Sequence, residues 1–171
     1  MGKLLVFDSS FLIRFKDQLW NRRAFHPIQE ALGQILSGGF GYIIHEVVGE
    51  IKAPEFVKWL KDKTVKSYFD VKINESIQDL LNKEVIPAYR RHQVGSVEKH
   101  IRESEYAADP VLIAHALYMK NFQLLPVFVV ADDSGIEKVC SHLEVEYAGW
   151  DEFFDKFMYE SMRKKCPECY P

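Results

Sequence analysis

The stretch Leu4-Leu5-Val6-Phe7-Asp8-Ser9-Ser10 decides the fold class of this chain. Four consecutive apolar residues are typical of a strand that is buried on both faces in a parallel sheet. The acid and the two hydroxyl side chains that follow put Asp8 at the carboxyl end of that strand. In open α/β sheets, ligands bind outside this edge, so Asp8 is the first candidate site residue.

The composition is that of an ordinary globular domain, with 47% hydrophobic and 27% charged residues in a chain of 171. This length fits one domain with a real core, and we predict a domain over residues 1–164 followed by a tail over 165–171. The longest apolar run, residues 124–131, is too short to cross a bilayer, and the N-terminus lacks the pattern of a signal peptide. We therefore expect a cytoplasmic protein that does not act in a membrane.

Further strands and helices alternate along the chain. A second buried strand is predicted over Leu124–Val130, ending in Ala131-Asp132-Asp133. Shorter strands are predicted at 40–44 and 145–147, with a strand or an extended connection at 64–71. Helical spacing of apolar residues fills the intervals, most clearly at 75–91 and 107–119. This alternation predicts an α/β fold, with a mainly parallel central sheet flanked by helices.

Each acid near these strands has an ordinary structural interpretation. Asp109 precedes Pro110, the pattern of a helix N-cap with proline in the first turn. Asp132 and Asp133 precede a helix, whose dipole favours negative charge at its start. Glu50 fits a solvated helix face. Taken singly, none of these residues indicates a site.

Taken together, the acids indicate a metal site. Asp8 and Asp133 both follow apolar strands, so both should lie at one edge of the sheet, and Asp109 opens a helix that is apolar nearly all round. Carboxylates gathered at one edge repel one another unless a cation lies between them. Magnesium and manganese prefer such oxygen ligands.

The order of the acids resembles that of the PIN domain family of metal-dependent ribonucleases. Its acid after the first strand matches Asp8 within Leu5-Val6-Phe7-Asp8-Ser9-Ser10, and its helical glutamate matches Glu50 within Glu46-Val47-Val48-Gly49-Glu50. Its late-helix acid matches Asp109, where Ala108-Asp109-Pro110 is similar to a prokaryotic subgroup. Its last acid matches Asp133.

The resemblance implies a Mg²⁺ or Mn²⁺ ion held by these four acids and the hydrolysis of phosphodiester bonds in RNA. It assigns Ser9 to orienting a carboxylate or contacting substrate, although Ser9 or Ser10 equally fits the N-cap of a helix beginning near Phe11. Asp132 and Glu46 are alternative ligands. Ala131 departs from the family, which often has Ser or Thr there, and this weakens the support for the metal.

The resemblance also implies partners. They are an RNA substrate and an antitoxin protein of the kind that neutralises many relatives. Apart from the resemblance, a homodimer is a further expectation. The densest basic stretch, residues 90–102, fits either a surface that binds RNA phosphates or the solvated end of a helix. Its candidate RNA contacts are Arg90, Arg91, Lys99 and Arg102. Cys166 and Cys169 form half of a zinc-binding pattern, which fits a tail or an intermolecular site.

Two other functions remain open from the sequence. A phosphatase of the haloacid dehalogenase type also begins with an apolar strand and an aspartate, but it needs a second aspartate where this chain has Ser10. An inactive PIN-like module that binds RNA or protein is the other alternative, and Ala131 favours it.

Overall fold

In the computed structural model, which describes residues 2–92, 108–123 and 125–159, five strands form one parallel sheet. Its order is β3-β2-β1-β4-β5, and every neighbouring pair runs in the same direction. The strands are β1 (Leu4–Phe7), β2 (Gly41–Ile44), β3 (Phe69–Val71), β4 (Val127–Val130) and β5 (Glu146–Ala148). The predicted α/β fold class is therefore confirmed.

Helices cover the sheet and connect its strands. They are α1 (Ser9–Gln18), α2 (His26–Ser37), α3 (His45–Glu50), α4 (Pro54–Lys63), α5 (Glu75–Leu80), α6 (Ile86–Arg91), α7 (Ala108–Gln123), α8 (Ser134–His142) and α9 (Trp150–Phe153). Wider π-helical turns occupy Leu81–Val85, between α5 and α6, and Phe154–Met158, after α9. Among the described helices, none has both the length and the apolar character needed to span a membrane.

The structure differs from some details of the predicted elements for identifiable reasons. The N-cap of α1 is Asp8, which accepts a hydrogen bond from the Ser10 amide, so neither serine caps the helix. Of the segment 64–71, predicted as a strand or an extended connection, only Phe69–Val71 forms a strand, β3, because Lys66–Tyr68 forms a 3₁₀ turn. The helix predicted over 75–91 has these bounds, and within them it widens into π geometry just before Pro87, which has no amide hydrogen to donate. The predicted boundary at residue 164 lies outside the described residues.

The core is built from the central strands and a cluster of aromatic rings. Every residue of β1, β2 and β4 is buried. The Phe11 ring on α1 lies 5.8 Å from Phe7 and 4.7 Å from Phe153 of α9, between ring centroids. Burial of each such side chain contributes roughly 1.5–3 kcal/mol. This cluster fixes α1 and α9 over the carboxyl half of β1.

The sheet order creates one crevice. The chain passes from β1 to β2 on one side, whereas β4 joins β1 on the other side. The register pairs Phe7 with Val130, and the Asp8 amide donates to the Val130 carbonyl over 2.9 Å. The carboxyl ends of β1 and β4 thus meet at the switch point of the sheet, where ligands of open α/β folds bind.

Candidate metal centre

Asp8 lies at the bottom of this crevice and is 1% exposed. Its Oδ2 accepts hydrogen bonds from the Ser10 amide, over 3.0 Å, and from the Ser10 hydroxyl. Its Oδ1 is buried with no hydrogen-bond partner in the described part of the chain. Burial raises the pKa of Asp8, the Ser10 hydrogen bonds oppose this, and the charge of Glu50 adds to it. A buried carboxylate oxygen without a partner is unfavourable unless a cation or a proton compensates it.

Glu50 ends α3 and reaches the first turn of α1. Its Oε2 accepts a hydrogen bond from the hydroxyl of Ser9. Because Ser9 and Ser10 are consecutive, one helical turn orients two carboxylates that are 42 positions apart in sequence, Glu50 and Asp8. Ser9 therefore contacts a carboxylate, the first of the two roles expected for it, and does not cap the helix.

Asp109 is the second residue of α7 and lies within the field of the other acids. Burial raises its pKa to about 7, and the negative charges of Asp8, Glu50 and Asp133 contribute to the same shift, in that order after burial. These couplings place the four predicted acids in one region at the carboxyl edge of the sheet. Without a cation, Asp109 holds its proton far more tightly than an ordinary aspartate does.

Asp133 and Asp132 are neighbours in sequence with different surroundings. Asp133 is the N-cap of α8, where its Oδ1 accepts from the amides of Gly135, over 2.7 Å, and Ile136, over 3.1 Å. Asp132 instead forms an ion pair with Nη1 of Arg14 over 2.5 Å. Of the two, Asp133 is the one whose charge reaches Asp109. The carboxylate of Asp132, the alternative ligand, is thus already paired with the positive charge of Arg14.

These acids share an edge without forming a ready-made cage. In residues 2–92, 108–123 and 125–159, no three acidic, histidine or cysteine side chains are close enough together to hold a metal ion. The chemistry of the donors nevertheless fits Mg²⁺ or Mn²⁺, since all are carboxylate oxygens. The unpartnered Oδ1 of Asp8 supplies one such oxygen in the crevice. Side-chain rotation of Glu50 and Asp109 would have to bring the remaining ligands in.

The other predicted residues lie further out or beyond the description. Glu46 is half-buried in the first turn of α3, and its Oε2 has no hydrogen-bond partner in the described part of the chain. Arg90 and Arg91 are exposed at the end of α6. Lys99, Arg102, Cys166 and Cys169 lie outside the described residues.

Tyrosines at this edge were not anticipated from the sequence. The hydroxyl of Tyr147, on β5, donates to the Ala131 carbonyl over 2.9 Å and accepts from the Asp133 amide over 3.3 Å. It steadies the loop that carries Asp133. The buried hydroxyl of Tyr89 has no partner among the described residues, and its pKa is raised by burial and then by Asp109.

Of the three residues at this edge whose roles were not predicted, only Ser10 had a signal in the sequence. A serine two residues after an aspartate that starts a helix is well placed to donate to it. The roles of Tyr147 and Tyr89 depend on which elements pack together, which no local pattern records.

The fold and this edge define an α/β domain whose sheet switch point is lined by carboxylates. The model of the family described as "Domain of unknown function (DUF4411)" matches residues 5–160, and the chain belongs to that family. The matched segment contains all four candidate acids. No curated protein matches the chain.

Proposed function

We propose that this protein is a metal-dependent ribonuclease that hydrolyses phosphodiester bonds of RNA at the carboxyl edge of its sheet. The observation that carries the proposal is Asp8, whose buried Oδ1 lacks a hydrogen-bond partner within the described residues at the switch point of an α/β sheet. The resemblance of the acid order to the PIN domain family supports the same activity.

The roles of the side chains follow from their surroundings. Asp8, Glu50 and Asp109 would hold a Mg²⁺ or Mn²⁺ ion directly or through water, and Asp133 would complete the site. A bound divalent ion lowers the pKa of water and neutralises charge on a phosphate. Ser10 holds the carboxylate of Asp8 in place, and Ser9 holds one carboxylate oxygen of Glu50 at the first turn of α1.

Cleavage of a single-stranded RNA with a fluorophore and a quencher at its ends tests this proposal. We expect the wild-type protein to cleave it with Mn²⁺ or Mg²⁺ and not with EDTA. Asp8→Asn and Asp109→Asn should lower the cleavage rate at least about 100-fold. Mutation of residues that only hydrogen-bond to metal ligands already lowers metal affinity or activity about 10- to 100-fold. Asp79→Asn is the matched control, since Asp79 is exposed and pairs with Lys83 on a helix surface. Unchanged cleavage in either site variant contradicts the assignment.

The second candidate function is an inactive module that binds RNA or protein. The failure of three acids to converge within the described residues favours it. Calorimetric titration with Mn²⁺ separates the two, because the ribonuclease binds the ion and the Asp8→Asn variant does not, whereas the inactive module shows no binding in either form. Turnover of a phosphate monoester would instead indicate the phosphatase, although the Ser10 hydroxyl bonded to Asp8 stands where that class needs its second acid.

Partners and location form a further part of the proposal, and the antitoxin partner rests on the resemblance. We propose that the protein acts in the cytoplasm, that an antitoxin protein neutralises it, and that it associates as a homodimer. Growth arrest on induction of the wild-type chain, and not of Asp8→Asn, tests the toxin role. Sedimentation of the purified protein at micromolar concentration tests the dimer, which a monomer mass would exclude.

A further inference from the structure

Arg14 stands beside the acid pocket and is held there by two contacts. Its Nη1 donates to Oδ2 of Asp132 over 2.5 Å, and its Cζ lies 4.3 Å from the centre of the Trp150 ring. Arg14 is four residues after Ser10 on α1, so the two side chains lie on the same face of the helix, about 6 Å apart along its axis. Because Ser10 bonds to Asp8, Arg14 lies one helical turn from the buried acid.

A chain of contacts joins this arginine to Asp8. The Ser10 hydroxyl donates to Asp8 and lies 3.5 Å from the amide of Asp132, whose carboxylate holds Arg14. The side chains of Arg14 and Asp132 are 37% and 39% exposed, so the pair is open to solvent beside the buried Asp8. Surface ion pairs of this kind contribute at most about 1 kcal/mol to stability. The contribution of the Arg14–Asp132 pair to stability therefore does not by itself explain why an arginine occupies this position.

The substrate supplies the reason for a cation at this place. An edge lined by carboxylates repels a polyanion, and the formal net charge of the chain, -3, gives no overall attraction for one. Affinity for nucleic acid comes chiefly from contacts of arginine and lysine with phosphates. A basic side chain beside these acids would favour the binding of such a strand.

We propose that Arg14 is a substrate-binding residue that contacts an RNA phosphate one or two nucleotides from the bond that is cleaved. The pairing with Asp132 uses Nη1, and in the described part of the chain no residue accepts a hydrogen bond from Nε or Nη2. These two groups form the edge of the guanidinium that binds phosphate in bidentate fashion. Contact with the Trp150 ring limits the freedom of the guanidinium, so binding loses less side-chain entropy. The proposal rests on the proposed function for the identity of its substrate.

The test measures binding of a short fluorescein-labelled single-stranded RNA in EDTA, where no cleavage occurs, at several salt concentrations. Arg14→Gln should weaken binding about 10-fold and reduce the slope of log affinity against log salt by about 0.7, the value for one phosphate contact on a single strand. Arg14→Lys should restore the slope and only part of the affinity, because lysine keeps the charge and loses the planar fork.

Arg23→Gln is the matched control. It removes the same charge from an exposed residue beyond the far end of α1, a helix of 10 residues and therefore about 15 Å long. We expect its salt slope to equal that of the wild-type protein. In the cleavage assay with Mn²⁺, Arg14→Gln should raise KM several-fold and leave kcat near the wild-type value, since the contact is present before and during reaction.

Three results overturn the proposal: a wild-type slope in Arg14→Gln, equal losses in Arg14→Gln and Arg23→Gln, or a wild-type protein that does not bind RNA. The first two leave the ribonuclease standing if Asp8→Asn abolishes cleavage. Binding that depends on Arg14 in a protein without cleavage activity supports the phosphate contact and refutes the ribonuclease.

Discussion

The β1 side and the β4 side of the candidate site differ in how many hydrogen bonds and ion pairs the protein provides to their carboxylates. On the β1 side, Asp8 is buried with an unpartnered oxygen, and Asp109 nearby has a pKa raised to about 7. On the β4 side, Asp133 caps a helix and Asp132 pairs with an arginine, and both are exposed. Without a bound cation, the carboxylates on the β1 side are in an unfavourable environment, whereas those on the β4 side already have favourable partners within the protein. A bound cation or a proton would therefore stabilise the β1 side more than the β4 side.

The largest effect should come from removing a charge on the unfavourable side. Asp109 has an ordinary pKa of 3.8 and a folded-state pKa of about 7, so between these values the folded protein keeps a proton that the unfolded chain has lost. The free energy of unfolding in EDTA should thus be fully retained below about pH 4 and fall as the pH rises through about 7. At 1.36 kcal/mol for each pKa unit, the loss is on the order of 4 kcal/mol at most.

Asp109→Asn should remove this pH dependence and be the more stable protein at pH 8. Urea denaturation of both proteins from pH 4.5 to 8 measures the difference, which should grow with pH. A constant difference across this range would mean that Asp109 ionises normally, and the contrast between the two halves would disappear.

The next effect is stabilisation by Mn²⁺. A ligand that binds only the folded state, at 100 times its dissociation constant, stabilises by about 2.7 kcal/mol. We expect this gain in the wild-type protein and in Asp132→Asn, and we expect Asp8→Asn to lose it. Thermal melting with and without Mn²⁺ measures this stabilisation. If Asp132→Asn loses as much of it as Asp8→Asn does, Asp132 is a metal ligand.

A smaller effect should come from the helix cap on the stable side. Asp133→Ala removes the acceptor of the Gly135 and Ile136 amides and should lower the free energy of unfolding by about 1 kcal/mol. Asp133→Asn should change stability by only a few tenths of a kcal/mol, because asparagine caps as well as aspartate. If both variants lose the same stability, the charge of Asp133 and not its cap is responsible.

The smallest effect should come from the exposed ion pair. Asp132→Asn should alter the free energy of unfolding by less than about 0.5 kcal/mol, since a surface pair gains little over its hydration. Urea denaturation at low salt, where such pairs are strongest, is the sensitive measurement. A loss above 1 kcal/mol would show that Arg14 and Asp132 hold α1 against the loop after β4, rather than forming only a solvent-exposed pair.

The sequence alone predicts the sheet and the edge to which its acids belong, because apolar runs that end in acids are local signals. It does not distinguish Asp132 from Asp133, since both follow the same strand and the choice depends on where Arg14 and the amides of α8 lie. The same limit applies to Tyr147, whose hydroxyl reaches the loop after β4 only because β5 pairs beside that strand. Whether three acids converge depends on side-chain rotation, which no spacing determines.

The pairing of β1 with β4 has a consequence for synthesis of the chain. Leu4 lies opposite Val127, so during translation nearly the whole domain must leave the ribosome before β1 gains this neighbour. The loop that carries Asp133 emerges later still. A nascent or truncated polypeptide therefore contains Asp8 but no assembled pocket, and whatever chemistry these acids perform begins only when the domain is complete.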